Sequence, residues 1–251
     1  MARNNLFLRS TLFITAFGLL INLAVATRAL SYYGFPGWEK GALGLELSLK
    51  AAQKQEKPLI LYFHIDPSTW NDRMNDEYLA KYDVNEFLEN ILKVHINPDE
   101  GDAESALAAE YGVTQYPAFF VFIPSFNTKP ERIHPFSQKD KDMTTEEFIN
   151  KIKENIVYEY NNKASECVEK KDYETALKYL EISLNYDPNV AYTYYAIGTV
   201  YNLLAAEKND AGFLKKAEER YIKALKIDPN HEASGEALKK VQKEMQKMKG
   251  K

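Results

Sequence analysis

The sequence predicts an α/β domain followed by an all-α array of helical repeats. Three observations carry that expectation. Residues 59–65 and 118–123 are apolar, β-branched and aromatic runs of strand length, with helical patterns between them. From Ala176 to Asn189, and again from Ala217 to Asn230, a helical stretch ends in Asp-Pro-Asn. At the N-terminus, Arg3 and Arg9 precede an apolar run over residues 12–26, a segment different in kind from the rest.

The 251 residues are enough for two modest cores, and 45% apolar with 27% charged residues is ordinary globular composition. A net charge of -4 supplies no basic field, so nucleic acid is not an expected partner. Charge followed by an apolar run is the order of an export signal, and Ala24-Val25-Ala26 fits a small-x-small cleavage site. The run falls short of the roughly 20 residues of a full span, but extension to Leu30 with Arg28 snorkelling would make it an anchor. Residues 1–30 are therefore expected to be a signal peptide or an N-terminal membrane anchor. The bulk of the chain is expected outside the cytoplasm, periplasmic or membrane-anchored.

The elements follow in order. Residues 31–38 form an aromatic Gly/Pro link. Residues 39–55 read as a helix with Leu45, Leu49 and Ala52 on one face; the alternation of Leu43, Leu45, Leu47 and Leu49 is a competing strand signal. Pro58 ends that helix, and strands are expected at 59–65 and 91–96, with a helical region carrying Tyr78, Leu79, Phe87 and Leu88 between them. Asp102 is the expected N-cap of the next helix and Gly112 its stop. The acidic stretch 99–104 lacks the ligand spacing of a calcium loop and reads as helix-start chemistry. A strand at 118–123, a loop at 124–130 and a strand near 132–136 follow. Thr144 to Glu147 then opens a helix through Ile156.

The block Tyr111-Gly112-Val113-Thr114-Gln115-Tyr116-Pro117 before a strand, with Lys57-Pro58 and Asn97-Pro98-Asp99, resembles the thioredoxin-like family over residues 38–156. The resemblance implies that Pro117 is cis and faces the active-site corner. It places Ser68 and Asn71 where members carry two redox cysteines, and Tyr62 where many hold a buried acid. Serine and asparagine cannot cycle through a disulfide. The single cysteine, Cys167, lies outside the resemblance, so an intrachain dithiol cycle is excluded by count. The family's corner binds extended chain, which makes Asp66, Trp70, Tyr116 and Pro117 the expected contact residues.

The two Asp-Pro-Asn blocks, preceded by Tyr160, Lys163, Ala164 and Cys167 and by Tyr194, Ile197, Gly198 and Tyr201, resemble tetratricopeptide repeats. The triplets lie 41 residues apart (228 − 187), against the usual ~34, so an insertion of about seven is expected near 207–213. Helical spacing places Tyr158, Asn161 and Ser165 of one unit, and Tyr192, Tyr195, Thr199 and Asn202 of the next, on the groove. Tyrosines and amides there suit a peptide, though an ordinary solvated face fits as well. The groove lacks the lysines and arginines that grip a C-terminal carboxylate in part of that family. Cys167 reads as a small buried hydrophobe.

The four histidines, His64, His95, His134 and His231, have no second ligand at metal spacing, so no metal and no cofactor is expected. His64 and Asp66 share a strand face and could titrate together. The expected organisation is residues 31–156 as one domain and 157–251 as the repeat domain with a capping helix. The expected function is a non-catalytic adaptor that holds protein partners, peptide segments or subunits of a membrane complex. The alternatives are a thioredoxin-like chaperone or oxidoreductase relative, and a structural subunit of a membrane complex.

Overall fold

Two apolar runs dictate the centre of the fold. In the computed structural model, which describes residues 35–137 and 141–249, they become β2 (Leu59–Phe63) and β4 (Ala118–Phe122), every residue of both buried. A strand apolar on both faces must be covered on both. The five-stranded sheet has the order β1-β3-β2-β4-β5, with β1 (Glu39–Lys40), β3 (Leu92–Ile96) and β5 (Glu131–Ile133). β1, β3 and β2 run parallel, while β4 is antiparallel to β2 and to β5. Leu59, Leu61, Phe63, Phe120 and Phe122 pack with Leu45 and Ala52 of α1 (Gly41–Gln55) and Ala108 of α4 (Asp102–Glu110). The opposite face sets Phe119 5.0 Å from Phe148 of α5 (Thr145–Glu169), whose ring lies 5.1 Å from Tyr78.

Several expectations shift at their ends. The helix expected from Glu39 starts at Gly41, after two residues that add an edge strand against Val94 and His95. Gly41 has φ +67, the left-handed geometry that turns the chain from strand to helix. The leucine alternation resolves as a helix, with Leu45 inward and Leu43 and Leu47 exposed. Gly101, not Asp102, is the N-cap of α4, and Asp102 is the first helical residue, where its charge still favours the helix dipole. Gly112, at φ +66, ends α4 with Val113 N donating to Ala108 O and Gly112 N to Ala109 O, a Schellman closure. Between β2 and β3 lie α2 (Thr69–Met74), a π-helical turn (Asn75–Leu79) and α3 (Tyr82–Leu88).

The expected boundary at 156/157 falls inside α5, which runs unbroken for 25 residues from a Thr144/Glu147 capping box. Its first half buries Phe148 and Ile152, and its second half buries Tyr160, Ala164 and Cys167. The helices continue as α6 (Tyr173–Tyr186), α7 (Ala191–Lys208), α8 (Ala211–Ile227) and α9 (Glu232–Lys249). The two Asp-Pro-Asn turns are built alike: Asp187 and Asp228 each accept from the N–H two residues on, at 2.9 Å. The insertion expected near 207–213 forms no long loop. Only Asn209 and Asp210 separate α7 from α8, and the surplus lengthens those helices to 18 and 17 residues against 14 in α6. Residues added inside a helix keep their backbone hydrogen bonds, which a loop would surrender.

Glu56 joins the sheet domain to the helices. Its carbonyl accepts from Tyr160 Oη at 2.5 Å, and its carboxylate binds Tyr179 Oη at 2.5 Å and Lys178 Nζ at 2.7 Å. Lys178, then Tyr179, hold that carboxyl below the usual range. The segment expected to be a signal or anchor, residues 1–30, lies outside the described residues. Among the described residues no helix is long and apolar enough to cross a membrane.

Candidate functional site

Strand register builds the first candidate surface. Phe63, the last residue of β2, pairs with Ala118, the first of β4. Pro117 therefore stands where the chain leaves β2 for the loop 64–68. The Tyr116–Pro117 bond is cis, and so is Asp66–Pro67, which the sequence did not announce. Arg132 of β5 donates to the carbonyls of Gln115 at 2.9 Å and Pro117 at 3.4 Å, holding the loop ahead of β4. Among the described residues no hydrogen bond to the backbone of Tyr116 is seen.

Ser68 and Asn71, the positions the resemblance sets against redox cysteines, carry no thiol. Ser68 is the extended N-cap of α2 and makes no capping bond. Asn71 is 1% exposed, and its Nδ2 donates to the Ile65 carbonyl. That bond ties α2 back to the loop that follows β2. Its Oδ1 is buried with no partner among the described residues. Trp70 is 47% exposed and leans on Phe136, with ring centroids 5.4 Å apart. The Arg73 guanidinium lies 5.1 Å from the Trp70 ring and 4.5 Å from that of Phe136, and it pairs with Glu77 and Asp142.

Beside this corner runs a short polar chain. Asp66 Oδ2 lies 3.0 Å from His64 Nδ1, and His64 Nε2 lies 3.0 Å from His95 Nδ1. An ionised Asp66 makes His64 Nδ1 the donor, so His64 Nε2 accepts and His95 Nδ1 donates. Burial lowers the pKa of both imidazoles; that of His95 falls to about 3, with His64 and Lys40 adding to the effect. Asp66 opposes the shift at His64. The sequence pointed to His64 with Asp66 but missed His95, which the parallel register of β2 on β3 brings alongside. Among the described residues no group of three or more His, Cys, Asp or Glu is placed to hold a metal ion.

The second surface is a cleft of about 110 Å³ between α5, α6 and α7. Of the seven expected groove residues, Asn161, Ser165, Tyr192, Tyr195 and Thr199 line it; Tyr158 and Asn202 do not. Tyr158 stands 64% exposed on the outer side of α5. Asn161 reaches the cleft, but its amide exchanges hydrogen bonds with Thr193, which the sequence did not single out. Cys167 is buried, and burial raises its thiol pKa, away from nucleophilic use.

A mixed sheet with a single antiparallel turnover at β4, a cis proline leading into that strand and helices on both faces define the N-terminal architecture. The N-terminal half has a thioredoxin-like fold. A largely helical half follows it. No family model matches the chain. No curated protein matches it either. Solved structures similar to it include a thioredoxin from Thermus thermophilus, at 19% identity and TM-score 0.37 over 47% of this chain and 86% of that one. The reduced C-terminal domain of DsbD from Neisseria meningitidis matches at 21% identity and TM-score 0.37, over 46% and 98%. A DsbH oxidoreductase matches at 17% identity and TM-score 0.37, over 56% and 94%. At this distance the likeness concerns fold and says nothing of activity.

Proposed function

We propose that this protein is a non-catalytic adaptor outside the cytoplasm. It presents two protein-binding surfaces, the Tyr116–Pro117 corner and the cleft of a short tetratricopeptide array. The observation that carries the reading is Asn71. A residue with no thiol fills the second cysteine place, buried and bonded to the loop backbone, while the chain's single cysteine sits on α5. What remains at the corner is recognition: an unbonded Tyr116 backbone beside a half-exposed Trp70. The shared helix α5 and the Glu56 junction hold both surfaces on one frame, so two weak contacts can reinforce each other. The charged and apolar N-terminal run supports export, with the segment cleaved or kept as a tether.

Purified full-length protein should reduce insulin no faster than the dithiothreitol control; turnover above that background overturns the reading. A photocrosslinking residue at position 70 or 192 should capture the same partner from native membranes. Adducts from neither position would remove the adaptor role.

A further inference from the structure

A helix on the surface of a globular domain normally carries polar residues on its outer side. The first turns of α1 break that rule. Leu45 and Ala52 face the sheet, 2% and 0% exposed, whereas Leu43 and Leu47, one turn apart, stand 68% and 53% exposed. Neither belongs to the core cluster that α1 forms with the sheet and α4. At about 100° per residue, positions 43, 47, 50 and 54 fall on one stripe about 60° wide. It reads Leu43, Leu47, Lys50, Lys54, apolar at the start of α1 and basic towards its end. Carboxylates around α1 are engaged. Glu46, flanking the stripe, pairs with Lys50 at 2.5 Å. At the helix start Glu104 Oε1 accepts from Ala42 N at 3.0 Å, and Glu100 pairs with Lys40 at 2.9 Å.

The course of the chain points to what covers the leucines. They lie on the end of α1 that is nearer, along the sequence, to the apolar run at residues 12–26, which reaches Leu30 when extended. Leu43 follows Leu30 by 13 residues (43 − 30), and a chain of that length spans at most about 45 Å. A bilayer that holds the run therefore meets the leucines at high effective concentration. Leucine at the acyl boundary, with lysine stems reaching back to the headgroups, is how the face of an interfacial helix divides.

We propose that Leu43 and Leu47 dip into the headgroup–acyl boundary of the phospholipid bilayer that holds residues 1–30, with Lys50 and Lys54 at headgroup level. The outer stripe of α1 then fixes how the folded body is oriented on the membrane. This rests on the reading of residues 1–30 as a retained tether.

Fluorescence depth quenching tests it, with the full chain reconstituted in vesicles of phosphatidylcholine and phosphatidylglycerol. In a Cys167→Ala background, a nitrobenzoxadiazole probe is attached at position 47 (Leu47→Cys) or, as a control, at the exposed position 82 on α3 (Tyr82→Cys). Lipid spin-labelled near its ester carbonyls should quench the probe at 47 at least about threefold more than the probe at 82, as a side chain about 5–10 Å deep requires. Leu43→Ser should cut the quenching at 47 by about half or more. Because Leu43 is exposed, that change leaves the fold intact, and circular dichroism checks this. Equal quenching at 47 and 82, in protein that sediments with the vesicles, overturns the proposal and leaves the tether standing. A blue-shifted probe at 47 that the labelled lipid does not quench assigns the face to a second copy of the chain and also overturns it. Protein left in the supernatant removes the tether and the proposal with it.

Discussion

Replacing His95 with asparagine should flatten the acid sensitivity of this fold. His95 sits on β3 against His64, with Lys40 on the neighbouring strand, Glu100 paired to that lysine at 2.9 Å, and Asp66 beyond His64. Its folded pKa falls from 6.5 to about 3, chiefly through burial. The sign follows from linkage. A depressed imidazole pKa means the unfolded chain binds the proton first, so the folded state loses ground as pH falls below 6.5 towards 3. At pH 5 the unfolded imidazole carries its proton and the folded one does not. The 1.5 units between 6.5 and 5, at about 1.36 kcal/mol per unit, amount to about 2 kcal/mol. Urea unfolding followed by circular dichroism at pH 7 and pH 5 measures this directly. The unaltered protein should lose about 2 kcal/mol more than His95→Asn over that interval. Equal losses in the two proteins would refute the burial of a neutral His95.

Gly198→Ala should destabilise the helical half by about 1–3 kcal/mol, because the new Cβ would meet Tyr221 Cε1 at 2.6 Å inside a buried crossing; a lower urea midpoint is the readout, and an unchanged one refutes the close approach. Thr144→Ala removes one half of the capping box on α5 and should cost about 1 kcal/mol by the same titration. The Cys167 thiol, buried with a raised pKa, should react with a disulfide reagent far more slowly than a free peptide thiol, and denaturant should restore the rate; fast labelling of the native protein contradicts its burial.

Strands β2 and β4 were legible because both faces of each are apolar, a pattern written into consecutive residues. The Asp-Pro-Asn turns were legible for a similar reason: the capping carboxylate lies two residues from the amide it accepts. Failures cluster where the partner is distant. The surplus read as an insertion between the two helices of the second unit, and the fold absorbs it as added helix in α7 and α8. Asn161 reads as a groove amide until Thr193, 32 residues on, takes it. Helical spacing also assigned Tyr158 and Asn202 to a cleft they do not line.

The sequence alone settled that no intrachain disulfide cycle can run, since one cysteine cannot pair with itself, and it located the apolar runs that become the sheet. The pairing of His64 with His95 was decided only by the fold, because the register of two parallel strands sets His95 beside Tyr62, two residues before His64. So were the shared helix α5, the Glu56 junction and the neutral cleft. Local patterns record which face of an element avoids water; which elements meet across that face depends on packing in three dimensions, and the chemistry of these surfaces lies at the meetings.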